Sequence, residues 1–148
     1  MKKRLILILI VTALIVWDQA YIPDNLGSFQ KQAEEIYKDR VLPTKKFTTD
    51  GCSMWPNSTA GYSWEELCIE HDIAYWMGGT EQERLEADQK FRDGVNKISP
   101  FVGDVMYYAV RLGGNKWVPA PWRWGYGWAY PYDEQEVIVW DELHNNKL

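Results

Sequence analysis

The sequence predicts an all-α fold organised around an antiparallel helical hairpin. Two helix-start signals stand on either side of a glycine pair, Gly78-Gly79. No strand-like alternation competes with them before a short run at residues 136–140. Two helices joined by so short a turn run antiparallel. A chain of 148 residues is long enough for one domain with a hydrophobic core.

Each helix of the hairpin is marked by a capping box, in which a serine or threonine is followed three residues later by glutamate. Ser63 with Glu66 predicts the start of the first helix, and Thr80 with Glu83 predicts the start of the second. The glycine pair ends the first helix because glycine takes the left-handed conformation that a helix end needs.

His71 and Asp88 are predicted to face each other across this hairpin. At a rise of ~1.5 Å per residue, each lies about 9–12 Å from the turn, one on each helix. A carboxylate on an apolar stripe is costly to bury unless it is paired. The stripe that Asp88 shares comprises Leu85, Phe91, Arg92 and Val95. We therefore expect a His71–Asp88 pair, which is either a structural bond or part of a catalytic site.

Further elements are expected before the hairpin. Residues 23–27 have the composition of a turn-rich linker, and residues 28–41 have the pattern of an amphipathic helix that ends before Pro43. Residues 45–61 form a long loop, and loops of this length inside compact domains are usually functional.

One more helix is expected after the hairpin. Ser99-Pro100 is a favourable helix start, and Gly113-Gly114 is the corresponding stop. One face of this helix is apolar and carries Phe101, Val105, Tyr108 and Leu112.

Composition narrows the possible partners. The net charge of −5 gives no indication of a positively charged binding surface, which argues against nucleic acid as a partner. Nine tryptophans and nine tyrosines are unusual, and seven of these rings alternate with glycine and proline in residues 116–132. Such rings favour a membrane–water interface. They therefore form either an interfacial docking surface or a cover folded back over the helical core.

The first residues point to export. Three basic residues follow Met1, and residues 5–17 are apolar, which fits a secretory signal better than a full membrane span. Asp18 lies where a cleavage site needs a small residue, so the segment is either removed or kept as an anchor. An ordinary buried helix fits the basic start poorly. We divide the chain into a signal or anchor (1–20), a helical domain (21–113) and an aromatic extension (114–148).

Two cysteines in an exported chain most simply form a disulfide. A bridge between Cys52 and Cys68 would tie the long loop to the first turns of the hairpin helix. The rival interpretation is a zinc site that uses both cysteines and His71. That site lacks an obvious fourth ligand, because the other histidine, His144, is far downstream.

These residue types predict a hydrolytic site. A histidine backed by a buried carboxylate is held in one orientation and is a better general base. Asp72 shares its helix face, and oxygens of the 50–52 loop, Asp50 among them, would lie beside it. Two carboxylates with backbone carbonyls suit Ca²⁺ better than a transition metal. A base beside a Lewis-acid cation favours ester or amide hydrolysis, and the sequence has no nucleophile elbow of a serine hydrolase.

At these residues the chain resembles the secreted phospholipase A2 family, in particular its compact bacterial and fungal branch. The central signature is Cys68-Ile69-Glu70-His71-Asp72-Ile73-Ala74-Tyr75, which is similar to the family's Cys-x-x-His-Asp-x-x-Tyr motif. Three further segments resemble the calcium loop, the second-helix aspartate motif and the closing helix of that branch; they are Thr49-Asp50-Gly51-Cys52, Ala87-Asp88 with Phe91, and Tyr107-Tyr108-Ala109-Val110. The resemblance covers residues 47–113, under half of the chain.

The resemblance implies a role for each matching residue. His71 would be the base that activates water, Asp88 would orient it, and Tyr75 would support Asp88. Ca²⁺ would be bound by the side chains of Asp72 and Asp50 and by the carbonyl of Gly51. The family hydrolyses the sn-2 ester of glycerophospholipids at membrane surfaces and yields a lysophospholipid and a fatty acid.

Two departures from the family pattern leave an alternative open. Ser53-Met54-Trp55 replaces the glycine-rich calcium loop of the animal enzymes, and the aromatic extension has no counterpart in the family. Met54-Trp55 could crowd the cation, which would leave a non-catalytic lipid- or protein-binding module. The His71-Asp72 pair also matches HD-type phosphohydrolases, but these need more histidines than the chain has.

Overall fold

The computed structural model describes residues 26–59 and 61–132, and within them the fold is mostly helical. This confirms the prediction of an α fold at that level. The elements in chain order are α1 (Leu26–Ile36), β1 (Ser58–Thr59), β2 (Tyr62–Ser63), α2 (Glu65–Met77), α3 (Glu81–Ile98) and α4 (Val102–Gly113). The predicted leader, the run at 136–140 and His144 lie outside the described residues. Among those that are described, no helix combines the length and the apolarity that crossing a membrane requires.

The hairpin forms as predicted between α2 and α3. Gly78 ends α2 with a positive φ of 64°, and Gly79 follows with φ 141°. Thr80 begins α3 with the full capping box, in which its hydroxyl accepts from the Glu83 backbone N–H and the Glu83 side chain accepts in return from the Thr80 N–H. The turn between the helices is therefore fixed by local chemistry.

The capping box predicted at Ser63 is wrong. The residue before α2 is Trp64, which makes no side-chain cap, and Ser63 instead lies in β2, where it pairs with Ser58. This two-stranded ribbon was not predicted, because each strand has only two residues and no alternation can be read from so short a run. Trp64 is buried and donates from its indole to the Pro56 carbonyl at 2.7 Å, which anchors the chain at that point.

The first helix is displaced from its predicted position. It spans Leu26–Ile36 rather than 28–41, so its first residues belong to the stretch we expected to be a linker. The helix ends early because the chain turns after Ile36, and this turn brings Arg40 to the hairpin. There the Arg40 guanidinium donates to the Gly78 carbonyl at 3.2 Å and pairs with Glu83 at 3.1 Å.

The last helix also differs from the prediction. Ser99 ends α3, and α4 begins after Phe101, which has a left-handed φ of 70°. Gly114 ends α4 as expected. The side of α4 that packs on α3 carries the buried Gly103. A Cβ atom at this position would clash with the Arg92 carbonyl, so glycine allows the two helices to approach closely. The apolar face that we predicted is instead exposed to solvent.

The aromatic extension folds back onto the helices. Trp124, Tyr126 and Tyr132 are buried in the same cluster as Phe47 and Trp76. Their polar atoms, with that of Trp128, bond the backbone near the hairpin turn and the loop: Trp124 to Gly79 at 2.9 Å, Trp128 to Met77 at 2.6 Å, Tyr132 to Gly79 at 3.2 Å and Tyr126 to Thr48 at 2.6 Å. These four rings therefore fit the interpretation that the extension folds back and covers the helical core, which we call the core-cover interpretation.

Trp124→Ala is expected to lower the free energy of unfolding by about 3–5 kcal/mol, because it removes a large ring that is 1% exposed. Chemical denaturation measures the loss. Trp117→Ala is the matched control: its ring is 63% exposed, and its removal should change stability by less than about 0.5 kcal/mol. Equal losses for the two variants would contradict the core-cover interpretation.

Candidate active site

A cavity of about 340 Å³ opens between α2, α4 and the loop at residues 51–55. His71 and Asp72 of α2 line it from one side, and Gly51 lines it from the loop. Part of its wall is apolar and includes Met106 and Val110 of α4. The cavity therefore joins the predicted chemical residues to a surface suited to hydrocarbon.

The predicted His71–Asp88 pair is present. The Nε2 atom of His71 lies 2.7 Å from Oδ1 of Asp88, and both side chains are buried, Asp88 completely. The imidazole lies between two rings, with centroid distances of 4.3 Å to Tyr75 and 4.7 Å to Phe91. Packing and the hydrogen bond together leave the imidazole little freedom to rotate.

Besides its bond with His71, Asp88 accepts hydrogen bonds from two further side chains and lies near a third. Tyr75 donates its hydroxyl to Oδ1 at 2.9 Å, which confirms the contact that we expected. Arg111 donates to Oδ2 at 2.7 Å, and the Nε atom of Arg84 lies 4.0 Å from the same oxygen. The buried carboxylate is therefore paired with cationic and neutral donors at once.

These contacts fix the ionisation of Asp88. Burial alone would raise its pKa, but the hydrogen bond and charge of His71, with hydrogen bonds from Arg111 and Tyr75, lower the pKa below its ordinary value. An ionised carboxylate accepts, so Nε2 of His71 carries the proton. The lone pair is then on Nδ1, which is the arrangement that a general base requires.

Arg84 and Arg111 also belong to the site, although neither was predicted from the sequence. Arg84 is buried and donates to the carbonyls of Val110 and Arg111 at 3.2 and 2.8 Å, where α4 ends. A signal was present, since Arg84 lies four residues before Asp88 on the same helix face. Arg92, which we placed on that stripe, is half-exposed and pairs with Asp93 instead.

Tyr75 is held neutral by its surroundings. Burial raises the pKa of its hydroxyl well above the ordinary value, and the adjacent Asp88 charge raises this pKa further. Tyr75 therefore serves as a hydrogen-bond donor, and its ring also contacts Trp124 of the aromatic extension at 5.0 Å between centroids. The site is thus tied to the aromatic extension.

The Cys52–Cys68 disulfide is present, which confirms that prediction. Both sulfurs are used in the bond, so they do not act as thiolate ligands for zinc. The bridge fixes the loop against α2, and Gly51 adopts a φ of 78°, a conformation that favours glycine. The Asn57 side chain also holds the loop by accepting from the Cys52 N–H at 2.8 Å.

Two of the predicted calcium ligands, Asp72 and Gly51, are linked through Thr49, while the Asp50 carboxylate accepts from the Ser53 hydroxyl at 2.7 Å. Thr49 donates its hydroxyl to Asp72 at 2.6 Å and accepts from the Gly51 N–H at 3.0 Å, which links the loop directly to the helix. Burial and the nearby charge of Asp72 raise the pKa of Tyr126, and the charge of Asp50 adds to this. The charges of both aspartates therefore act on the pKa of the same tyrosine.

The donor set fits a hard cation. Asp72, Asp50 and the Gly51 carbonyl supply oxygen only, which suits Ca²⁺. Within residues 26–59 and 61–132, no three His, Cys, Asp or Glu side chains form a metal-binding cluster. A calcium ion held here would therefore take its remaining ligands from backbone oxygens and water.

Met54 and Trp55, the two residues that could crowd a cation, have different positions. Met54 is largely exposed, with a positive φ of 58°. Trp55 packs against the disulfide and lines the cavity. Its buried indole N–H has no hydrogen-bond partner among the described residues.

The chain matches no protein-family model, and no curated protein or solved structure is significantly similar to it. The geometry of the site therefore carries the functional argument.

The pH dependence of stability tests the pairing of Asp88. Because the pKa of Asp88 is lowered in the folded protein, its stabilising contribution is fully present above the unfolded pKa of about 4 and is lost as pH falls through the folded value. Asp88→Asn should lower the free energy of unfolding by about 3 kcal/mol at neutral pH and flatten its slope in acid. Denaturation at several pH values measures both.

Asp93→Asn, a change at an exposed carboxylate of the same helix, is the control, and it should lower the free energy of unfolding at neutral pH by less than about 1 kcal/mol. An acid slope that is unchanged in Asp88→Asn would show that Asp88 is not the buried, ionised acceptor described above.

Proposed function

We propose that the chain is a calcium-dependent, phospholipase A2-like hydrolase that cleaves the sn-2 ester of glycerophospholipids at a membrane surface. The observation that carries the proposal is the 2.7 Å bond between His71 and the buried Asp88, at a cavity that Asp72 also lines. A structural histidine–aspartate bond has no need of a cavity, an oxygen-donor loop and an apolar wall beside it.

In the proposed reaction, Nδ1 of His71 takes a proton from a water molecule as its oxygen attacks the ester carbonyl carbon. The C–O bond to the glycerol oxygen then breaks, and His71 returns the proton to that oxygen. The products are a fatty acid and a lysophospholipid. Asp88 stabilises the imidazolium that forms between these steps, because its negative charge is 2.7 Å from Nε2.

Asp72, Asp50 and the Gly51 carbonyl would hold the calcium ion. When bound, the ion would supply positive charge to stabilise the developing oxyanion. The loop is already fastened to α2 by the disulfide and by the Thr49–Asp72 hydrogen bond, so binding requires little ordering of the backbone.

The apolar wall of the cavity supports a lipid as substrate. Met106, Ala109 and Val110 of α4 line the same cavity as His71. An acyl chain in this space would be removed from water, which is favourable for each methylene buried. The same wall would give a small polar ester little binding energy.

One observation favours the alternative of a non-catalytic binding module. Both candidate carboxylates already accept hydrogen bonds within the chain, Asp72 from Thr49 at 2.6 Å and Asp50 from Ser53 at 2.7 Å. A site stabilised in this way without a cation is compatible with a scaffold that binds lipid without turnover.

The direct test is fatty acid release from phospholipid vesicles, with the position of the cleaved ester identified. We expect release at the sn-2 position that requires Ca²⁺ and stops when a chelator is added. Release without Ca²⁺ would overturn the proposal, whereas calcium-dependent lipid binding without release would favour the binding module.

Two substitutions separate the proposed roles. His71→Ala is expected to reduce turnover by more than about 10³-fold while Ca²⁺ binding, measured by calorimetry, persists. Asp72→Asn is expected to abolish both. Glu70→Gln, a change at an exposed neighbour on α2, serves as the control that should keep both. Full activity in His71→Ala would refute its assignment as the base.

A further inference from the structure

Helix α4 exposes a stripe of large apolar side chains to solvent. Phe101, just before the helix, is 79% exposed, and Val105, Tyr108 and Leu112 are 56%, 66% and 78% exposed. Their spacing of three or four residues places them on one side of the helix. Single exposed apolar residues are ordinary, but a contiguous row marks an interaction surface.

This stripe is continuous with the wall of the candidate active site. Ala109 is exposed next to the stripe and also lines the cavity, followed around the helix by Gly113, Met106 and Val110. One helix therefore carries an apolar surface that runs from open solvent into the cavity beside His71. A ligand that enters the cavity over this surface stays in apolar contact throughout.

The charged groups of α4 are engaged elsewhere. Arg111 donates to Asp88, and Asp104 accepts from Asn96 at 3.1 Å and lies 3.9 Å from Arg92. No charged residue stands in the stripe itself, and the chain has a net charge of −5. This charge balance disfavours an anionic surface and is compatible with an uncharged, zwitterionic one.

We infer that the Phe101–Val105–Tyr108–Leu112 stripe docks on a zwitterionic lipid bilayer, with the mouth of the cavity facing the lipid. The stripe lies along a single helix, a shape that suits insertion among mobile lipid chains at an interface. The Tyr108 hydroxyl suits the polar boundary of that interface. The choice of a bilayer rather than a protein rests on the proposed function, because a lipid substrate then reaches the cavity without crossing water.

A fluorophore that responds to polarity tests this docking directly. It is attached at Leu112→Cys in the full chain, with His71→Ala added so that lipid is not consumed, and phosphatidylcholine vesicles are titrated in. We expect a blue shift and quenching by nitroxide-labelled lipid. The same label at Ile36→Cys, an exposed apolar position on α1 outside the stripe, should show neither.

Substitution provides the second test. Val105→Asn with Leu112→Gln should weaken partitioning into the same vesicles by roughly tenfold, whereas Ile36→Gln should not. Against a dissolved, monomeric short-chain phospholipid, the double variant should retain wild-type hydrolysis. This result would separate docking from catalysis.

Three results would overturn the inference. The first is vesicle binding with no change at the Leu112 label, and the second is the absence of any vesicle binding. The third is a blue shift without lipid that accompanies a doubling of mass, which would assign the stripe to a second copy of the chain. If the wild type hydrolyses no ester but the label and partition results hold, the docking surface stands and the proposed function fails.

Discussion

The structure depends on one buried negative charge. Asp88 is fully buried on α3 and is paired with His71 of α2, Tyr75 of α2 and Arg111 of α4. A carboxylate in that position is tolerated only because donors surround it, and each donor comes from an element that must therefore pack in place. The carboxylate that orients the imidazole through Oδ1 thus also bonds Arg111 of α4 through Oδ2, and it links three helices.

Arg84 extends this arrangement to the end of α4. Its guanidinium is buried beside Tyr75 and donates to the last carbonyls of α4, where the helix dipole favours a cation. The aromatic extension closes the other side, since Trp124 contacts Tyr75 and bonds the hairpin turn. The candidate site is therefore supported from both directions by residues that lie outside the recognised motif.

The sequence was most informative where a local rule decides the structure. The Thr80–Glu83 capping box, the glycine pair and helical periodicity were enough to predict the hairpin and the His71–Asp88 pair, and the cysteine count predicted the disulfide. These features depend on neighbours in sequence or on a pairing with few alternatives.

Predictions failed where contacts between residues far apart in sequence decide the structure. Ser63 is a good cap by pattern, but the ribbon with Ser58 uses it instead. The apolar face of α4 resembles a core-facing face in sequence, yet Gly103 allows the opposite side to approach α3 and leaves the apolar stripe exposed. Arg111 reaches the site only through tertiary packing, so no spacing rule could identify it.

The position of the proton on the His71 ring shows whether Asp88 is ionised and orients the imidazole. Long-range ¹H–¹⁵N correlation of the labelled histidines at about pH 8 reports which ring nitrogen carries the proton. The chain has only two histidines, so the His71→Ala spectrum assigns the signals. We predict that His71 is protonated at Nε2, with a downfield proton that changes in Asp88→Asn, and bare at Nδ1. Protonation at Nδ1, or the tautomer mixture of a free imidazole, would contradict the account.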